Sequence, residues 1–290
     1  MEPKNAWLTY SQADIEKMEA LSARYRAFLD AGKTERECAA KVFEEAVTAG
    51  YRPLEDAVRA GKPLKPGDRL ICLSMGKALA LFHVGKAPLE EGMNLLGAHI
   101  DSPRIDIKQN PLYEEEGLCC LDTHYYGGIK KYQWLSMPLA LHGVAVKTDG
   151  TTVSITVGET DGEPVLGISD LLAHLSKDQM EKKATALIEG EAMDVIVGSR
   201  PLPGDEKQPV KAFILNLLKD KYGLEEKDFL SAELELVPAG RARDFGLDSS
   251  MIMGYGHDDR CCAFTAAQAL LGFQGVPERT LCVLLTDKEE

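Results

Sequence analysis

Two uninterrupted apolar runs constrain the fold more than any other feature of this chain. "MNLLGAHID" at 93–101 and "TLCVLLTDKEE" at 280–290 each carry a strand-length stretch with little polar alternation. Apolar residues at successive strand positions imply cover on both faces, the pattern of sheets enclosed by helices. Each run breaks off into charge, the first at His99 and Asp101, the second at Asp287, Glu289 and Glu290. Helical spacing surrounds these runs. Residues 11–30 form an apolar stripe behind a Ser11 or Asp14 cap and close at Gly32, and a second helix is predicted from Thr34 to Gly50. "DRLICLS" and "KALALFHVG" read as a hairpin turning at Met75-Gly76.

The middle of the chain differs. From about Pro111 to Pro238, β-type runs alternate with turn signals, among them a hairpin through Asp149-Gly150. One helix, "PVKAFILNLLKDKYG", interrupts them and ends at Gly223. Beyond residue 245 the α/β pattern returns, with Asp258 or Asp259 opening a helix and 280–286 forming a buried strand. The expected organisation is an α/β domain with a central, mostly parallel sheet, built from 1–108 and 244–290 and interrupted by a β-rich insertion at 109–243.

At 290 residues the chain is long enough for two domains. A net charge of −13 argues against nucleic acid or an anionic membrane as partner. No apolar run approaches the roughly 18 residues of a membrane span, and the start does not read as a signal peptide, so a cytoplasmic setting is expected. Seven cysteines, with adjacent pairs at Cys119-Cys120 and Cys261-Cys262 and no CxxC spacing, suit reduced, mostly buried thiols better than a redox or metal role.

Three polar clusters fall where α/β proteins place ligands, beyond the carboxyl ends of strands and at a helix N-terminus. His99 and Asp101, two apart in extended chain, project to one side. "GHDDR" sets Asp258 at a helix start, and "TDKEE" follows the second strand. Imidazole and carboxylate suit zinc or its first-row relatives, a carboxylate can fix the tautomer of a ligand histidine, and a two-metal site needs a bridging carboxylate and a base. HExxH spacing is absent. Singly these signals are weak: HxD is more often a loop hydrogen-bond pair, Asp-Asp a helix cap, and Glu-Glu a solvated tail. Their joint placement favours a metal site.

"LLGAHIDSPRIDIKQNPLYE", "YYGGIKKYQW", "FLSAELELVPAGRARDFGLDSSMI", "YGHDDRCCAF" and "TDKEE", in that order, resemble bacterial members of the M18 family of metalloaminopeptidases. The resemblance runs from about residue 5 to the last residue. It implies a two-metal enzyme that releases single residues from peptide N-termini by attack of metal-activated water. By the same resemblance His99 is a metal ligand, Asp101 its supporting carboxylate, Asp258 the bridging ligand, Glu289 the general base and Glu290 a further ligand. Zinc is the implied cofactor, with cobalt or manganese as substitutes. The implied partners are peptide substrates and copies of the chain itself, in a dodecamer built from dimers through the β-rich insertion. Two departures stand out. The family's remaining Asp and His ligands lie beyond the Glu-Glu pair, so the chain is expected to be an N-terminal portion whose strand at 280–286 presents an open apolar edge. Tyr132 stands where the acidic-residue-specific branch has a histidine, which puts aspartyl specificity in doubt.

Other residues read more plainly. His257 is expected to support or pack rather than ligate, His124 and His174 to lie at a surface or interface, and His83 and His142 to be satisfied core histidines. Arg260 is expected to pair with a carboxylate, and Glu114–Glu116 to form a solvated loop. The competing functions are a non-catalytic assembly or binding protein and an amidohydrolase of N-acylated amino acids on the same scaffold.

Overall fold

The structure, a computed structural model, describes residues 4–204 and 207–290. One compact unit holds the chain up to Asp101 together with Arg241–Glu289, and the other holds Ser102–Gly240 with Glu290.

The first unit opens with α1 (Gln12–Ala31), whose start uses both candidate caps at once. The Asp14 amide donates to the Ser11 hydroxyl at 3.2 Å, and the Ser11 amide donates to the Asp14 carboxylate at 3.1 Å. Thr34 and Glu37 repeat the device at α2 (Glu35–Thr48). There follow β1 (Arg52–Pro53), α3 (Leu54–Ala60), β2 (Arg69–Ser74), β3 (Ala78–His83) and β4 (Asn94–His99). Met75 and Gly76 both take positive φ, 51° and 72°, at the centre of the three-residue connection that the Lys77 amide closes on the Ser74 carbonyl at 3.0 Å.

The second unit contains β5 (Arg104–Glu115), β6 (Leu118–Tyr126), β7 (Leu139–Val146), β8 (Thr152–Val157), α4 (Lys177–Met180), β9 (Val195–Gly198), α5 (Pro209–Tyr222) and β10 (Ala232–Pro238). Its sheet runs β8-β7-β10-β5-β6-β9, with every pairing antiparallel. The chain then returns to the first unit through β11 (Arg243–Phe245), β12 (Met251–Met253), α6 (His257–Leu271) and β13 (Leu281–Thr286).

The first unit's main sheet has the order β1-β2-β3-β13-β4. β1/β2 and β13/β4 pair in parallel and the other two pairings are antiparallel, so the α/β class holds with a mixed sheet. Phe28 of α1, Cys38, Val42 and Ala46 of α2, and Phe264, Ala267 and Leu270 of α6 bury against Ile71, Leu79, Leu81, Val283 and Leu285 of the strands. Phe264 touches Tyr25 and Phe28 with ring centroids 5.3 and 5.4 Å apart.

Four expectations change. β4 is not covered on both faces: it is an edge strand among the described residues, with Leu95 56% and Leu96 49% exposed. The strand at 280–286 lies inside the sheet, so the open edge belongs to β4 and not to β13. An apolar run reports what a strand can bury, but not its place in the strand order. Glu114 is not in a loop; it lies on β5, and its carboxylate accepts the Val210 and Lys211 amides at 2.9 and 3.0 Å, satisfying the start of α5. His142 bonds Glu159 at 3.1 Å, whereas the buried His83 has an Nδ1 without a hydrogen-bond partner among the described residues, and burial lowers its pKa.

Beyond β13 a buried charge group fixes the chain. Glu35, at 0% exposure, receives Lys77 Nζ at 3.3 Å and Lys288 Nζ at 3.8 Å. The same lysines reach the Asp287 carboxylate at 3.9 and 3.4 Å. Burial, then the nearby Glu35, pushes the Asp287 carboxyl above its ordinary range, and the two lysines oppose that rise. The N-terminus of α2, the β2–β3 turn and the exit of β13 are thereby tied together. Replacing Lys77 with Ala removes one of the cations held against the buried Glu35 and is expected to cost about 3 kcal/mol, read as a lower denaturant midpoint. Glu114→Ala, which strips the acceptor from the start of α5, is expected to cost about 1.5 kcal/mol in the same measurement.

Candidate metal centre

The parallel pairing of β13 with β4 sets the centre's frame. Its register runs from Leu281 opposite Asn94 to Thr286 opposite His99, and the Ile100 amide continues it to the Thr286 carbonyl at 2.9 Å. The HxD segment and the acidic segment therefore leave the sheet side by side at the same end. Asp101 is fully buried between them, and its Oδ1 accepts the Glu289 amide at 3.3 Å. His99 Nδ1 lies 3.0 Å from the Asp101 carbonyl oxygen and 3.4 Å from its Oδ1. A proton on Nδ1 shared with these acceptors leaves Nε2 with a free lone pair.

That nitrogen faces acids. Nε2 stands 3.3 Å from Asp258 Oδ1 and 3.7 Å from Glu289 Oε2. The two carboxylate side chains are 83% and 63% exposed, whereas the His99 side chain is 11% exposed. Burial pushes the His99 pKa down; the Asp101 carbonyl and carboxylate, Glu289 and Asp259 push it up and prevail, placing it above the ordinary 6.5.

Asp258 reaches this position because α6 does not start as a regular helix. Asp258 and Asp259 have φ/ψ of −90°/112° and −114°/32°, and the peptide between them is cis. Gly256 precedes them at φ +82°, where a Cβ would overlap the Arg260 guanidinium. Arg260 is buried and donates to the Lys33 carbonyl at 2.9 Å and the Cys38 sulfur at 3.1 Å, with its guanidinium 5.3 Å from the Tyr255 ring centre. His257 packs on Tyr25 and shares a 2.9 Å hydrogen bond with its hydroxyl through Nδ1.

His99, Asp101, Asp258 and Glu289 thus meet within the first unit. Glu290 groups with the second, its carboxylate lying against Gly127, where a Cβ would stand 3.0 Å from Oε2. The donor set suits a zinc-class ion: two donors held at about 2.1 Å and a tetrahedral angle stand about 3.4 Å apart, close to the separations around Nε2. Sequence reasoning missed Asp259, which adds charge at His99, and the Glu35–Lys77 contact, which has no short-range signature. The Asp-Asp dipeptide was the available signal for the first.

A family model described as aminopeptidase I zinc metalloprotease (M18) matches residues 28–290. A probable M18 family aminopeptidase 1 of Clostridium acetobutylicum is 52% identical over 290 residues, covering 100% of this chain and 62% of the relative. The crystal structure of aminopeptidase I from the same organism superposes with a TM-score of 0.91 at 52% identity, over 100% of this chain and 63% of that one. An M18 family aminopeptidase from Thermotoga maritima gives a TM-score of 0.92 at 43% identity, over 100% and 62%. The chain spans about 62% of the length of curated relatives it matches. With its order of motifs, its fold and a family match over nearly all its length, the chain belongs to the M18 family of zinc metalloproteases.

Proposed function

We propose that the whole protein is a two-metal aminopeptidase that removes single residues from peptide N-termini, with Glu289 as general base. The observation that carries this reading is the His99 arrangement: Nδ1 is pinned by Asp101, and Nε2 faces Asp258 and Glu289. His99, Asp258 and Glu290 would hold the ions, zinc by family and cobalt or manganese as substitutes, with further ligands from the part of the relatives that this chain does not span. When bound, the metal supplies Lewis acidity that polarises the scissile carbonyl and acidifies water.

The chain's own groups do the rest. Asp101 accepts from Nδ1 and keeps the His99 tautomer that presents a lone pair at Nε2. Its second contact, to the Glu289 amide, places the base beside the ligand histidine. Glu289 takes a proton from water at its exposed carboxylate and returns it to the leaving amine, so the base is regenerated in each turnover. Asp258 contributes negative charge that gathers cations. The β-rich unit at 102–240 is the proposed dimerisation surface of an oligomer built from dimers, and the seven free cysteines accord with a reducing, cytoplasmic setting. Among the described residues no helix is long and apolar enough to cross a membrane.

In the whole protein, Glu289→Gln is expected to lower kcat on unblocked dipeptides by at least about 100-fold while zinc remains bound by elemental analysis. His99→Ala is expected to lose metal and activity together. Near-normal turnover in Glu289→Gln, or turnover of N-acetyl amino acids in preference to free dipeptides, would overturn the assignment. Zinc binding also has a definite pH sign. Protonation of His99 competes with the ion, and because its pKa lies above 6.5, affinity should begin to fall while the pH is still above that value. The stability that metal-free chain gains from His99 runs the other way: it is fully present below pH 6.5 and lost as pH rises through the raised pKa. Calorimetric zinc titrations across pH, with the His99→Ala variant as reference, measure the competition.

A further inference from the structure

We propose that Asp259, Cys261 and Cys262 form an additional metal site, which takes a thiophilic d10 divalent ion of the zinc and cadmium class. One ligand atom from each residue lies within 4.8 Å of the other two. Cys261 Sγ stands 4.0 Å from Asp259 Oδ1 and 3.9 Å from Cys262 Sγ. Two thiolates held at about 2.3 Å from one tetrahedral ion are about 3.8 Å apart, so the sulfur–sulfur side of the triangle already has nearly the required length, and the carboxylate oxygen needs to close in by about 0.5 Å.

The backbone explains how these residues converge. In a regular helix, residues two apart point to nearly opposite sides. Asp259, at φ/ψ −114°/32°, is not helical, and its carboxylate meets the Cys261 thiol instead of diverging from it. Cys261 and Cys262 are both exposed, and neither is in a disulfide. At 3.9 Å the sulfurs are far beyond the roughly 2.05 Å of an S–S bond. An ion arriving from solvent meets two sulfurs and one carboxylate oxygen, with a fourth position open to water. Sulfur donors select zinc or cadmium over magnesium or calcium, which prefer all-oxygen sets. Binding replaces two thiol protons: the ion joins two thiolates and an ionised carboxylate, and two protons leave to solvent.

Cadmium titration of the reduced, metal-free full chain, followed by cadmium–thiolate charge-transfer absorption, tests the site. One ion per chain should develop the band, in the natural sequence and in His99→Ala alike. Cys261→Ser/Cys262→Ser should abolish it, and Asp259→Asn should weaken binding by at least about tenfold, the loss that even an outer-shell partner causes. Alkylation mapped by mass spectrometry gives a second readout: cadmium should protect Cys261 and Cys262 together. The proposal fails if the band survives the double substitution, vanishes in His99→Ala, is indifferent to Asp259→Asn, or develops while both thiols stay alkylable.

Discussion

The hydrogen bonds that run β13 beside β4 in parallel, from Leu281 opposite Asn94 to Thr286 opposite His99, decide where the proposed site residues can be. Had the two strands paired antiparallel, their carboxyl ends would lie at opposite edges of the sheet, with His99 and Glu289 a strand length apart. A parallel pair needs a crossover, and here it contains Ser102–Gly240 of the second unit as well as α6. The entropy of closing a loop rises only with the logarithm of its length, so a large folded insertion strains this pairing little. The insertion leaves directly after Asp101 and returns at Arg241, ahead of α6 and its Asp258.

Once the strands are paired, two buried acids keep the exit in order. Asp101 bonds the Glu289 amide and the imidazole of its own segment, coupling the backbone of the proposed base to the tautomer of the proposed ligand. Glu35 works from beneath through Lys77 and Lys288. Lys288 occupies φ +74°, a left-handed conformation that costs a non-glycine residue roughly 1–2 kcal/mol. The turn redirects the chain immediately after Asp287, so the following glutamates are not bound to the alternation of a continuing strand. The ion pairs that Lys288 makes with Glu35 and Asp287 offset that cost.

Much of this was legible locally. The Ser11 cap, one of the two candidates, the Met75-Gly76 turn, the helix closing at Gly223 and the polar exits after two apolar runs all depend on neighbours in sequence, and all stand in the structure. What escaped depends on distant partners. An apolar run reports burial but not strand order, so β4 could not be told from an interior strand. Glu114 reads as one acid among three until α5 brings two amide groups to it. The Asp259–Cys261 contact contradicts helical spacing, and only the irregular start of α6 permits it.

Two acid-rich clusters occur beside the end of β13, and the chain treats them differently. Around Glu35 and Asp287 the lysines supply positive charge from within the fold, the geometry of a structural anchor. Around His99 it gathers Asp101, Asp258 and Glu289 about one imidazole and leaves two of the carboxylates largely open to solvent. Burial alone would lower the histidine's pKa, yet the acids raise it, which means the local field favours a positive charge at that ring. A proton satisfies that field in part; a divalent ion would satisfy it more fully, with Asp258 as its proposed ligand and Glu289 as the proposed base beside it. The contrast between a neutralised anchor and an open, electron-rich cluster at the same strand end is the physical ground for reading structure in one and proposing chemistry at the other.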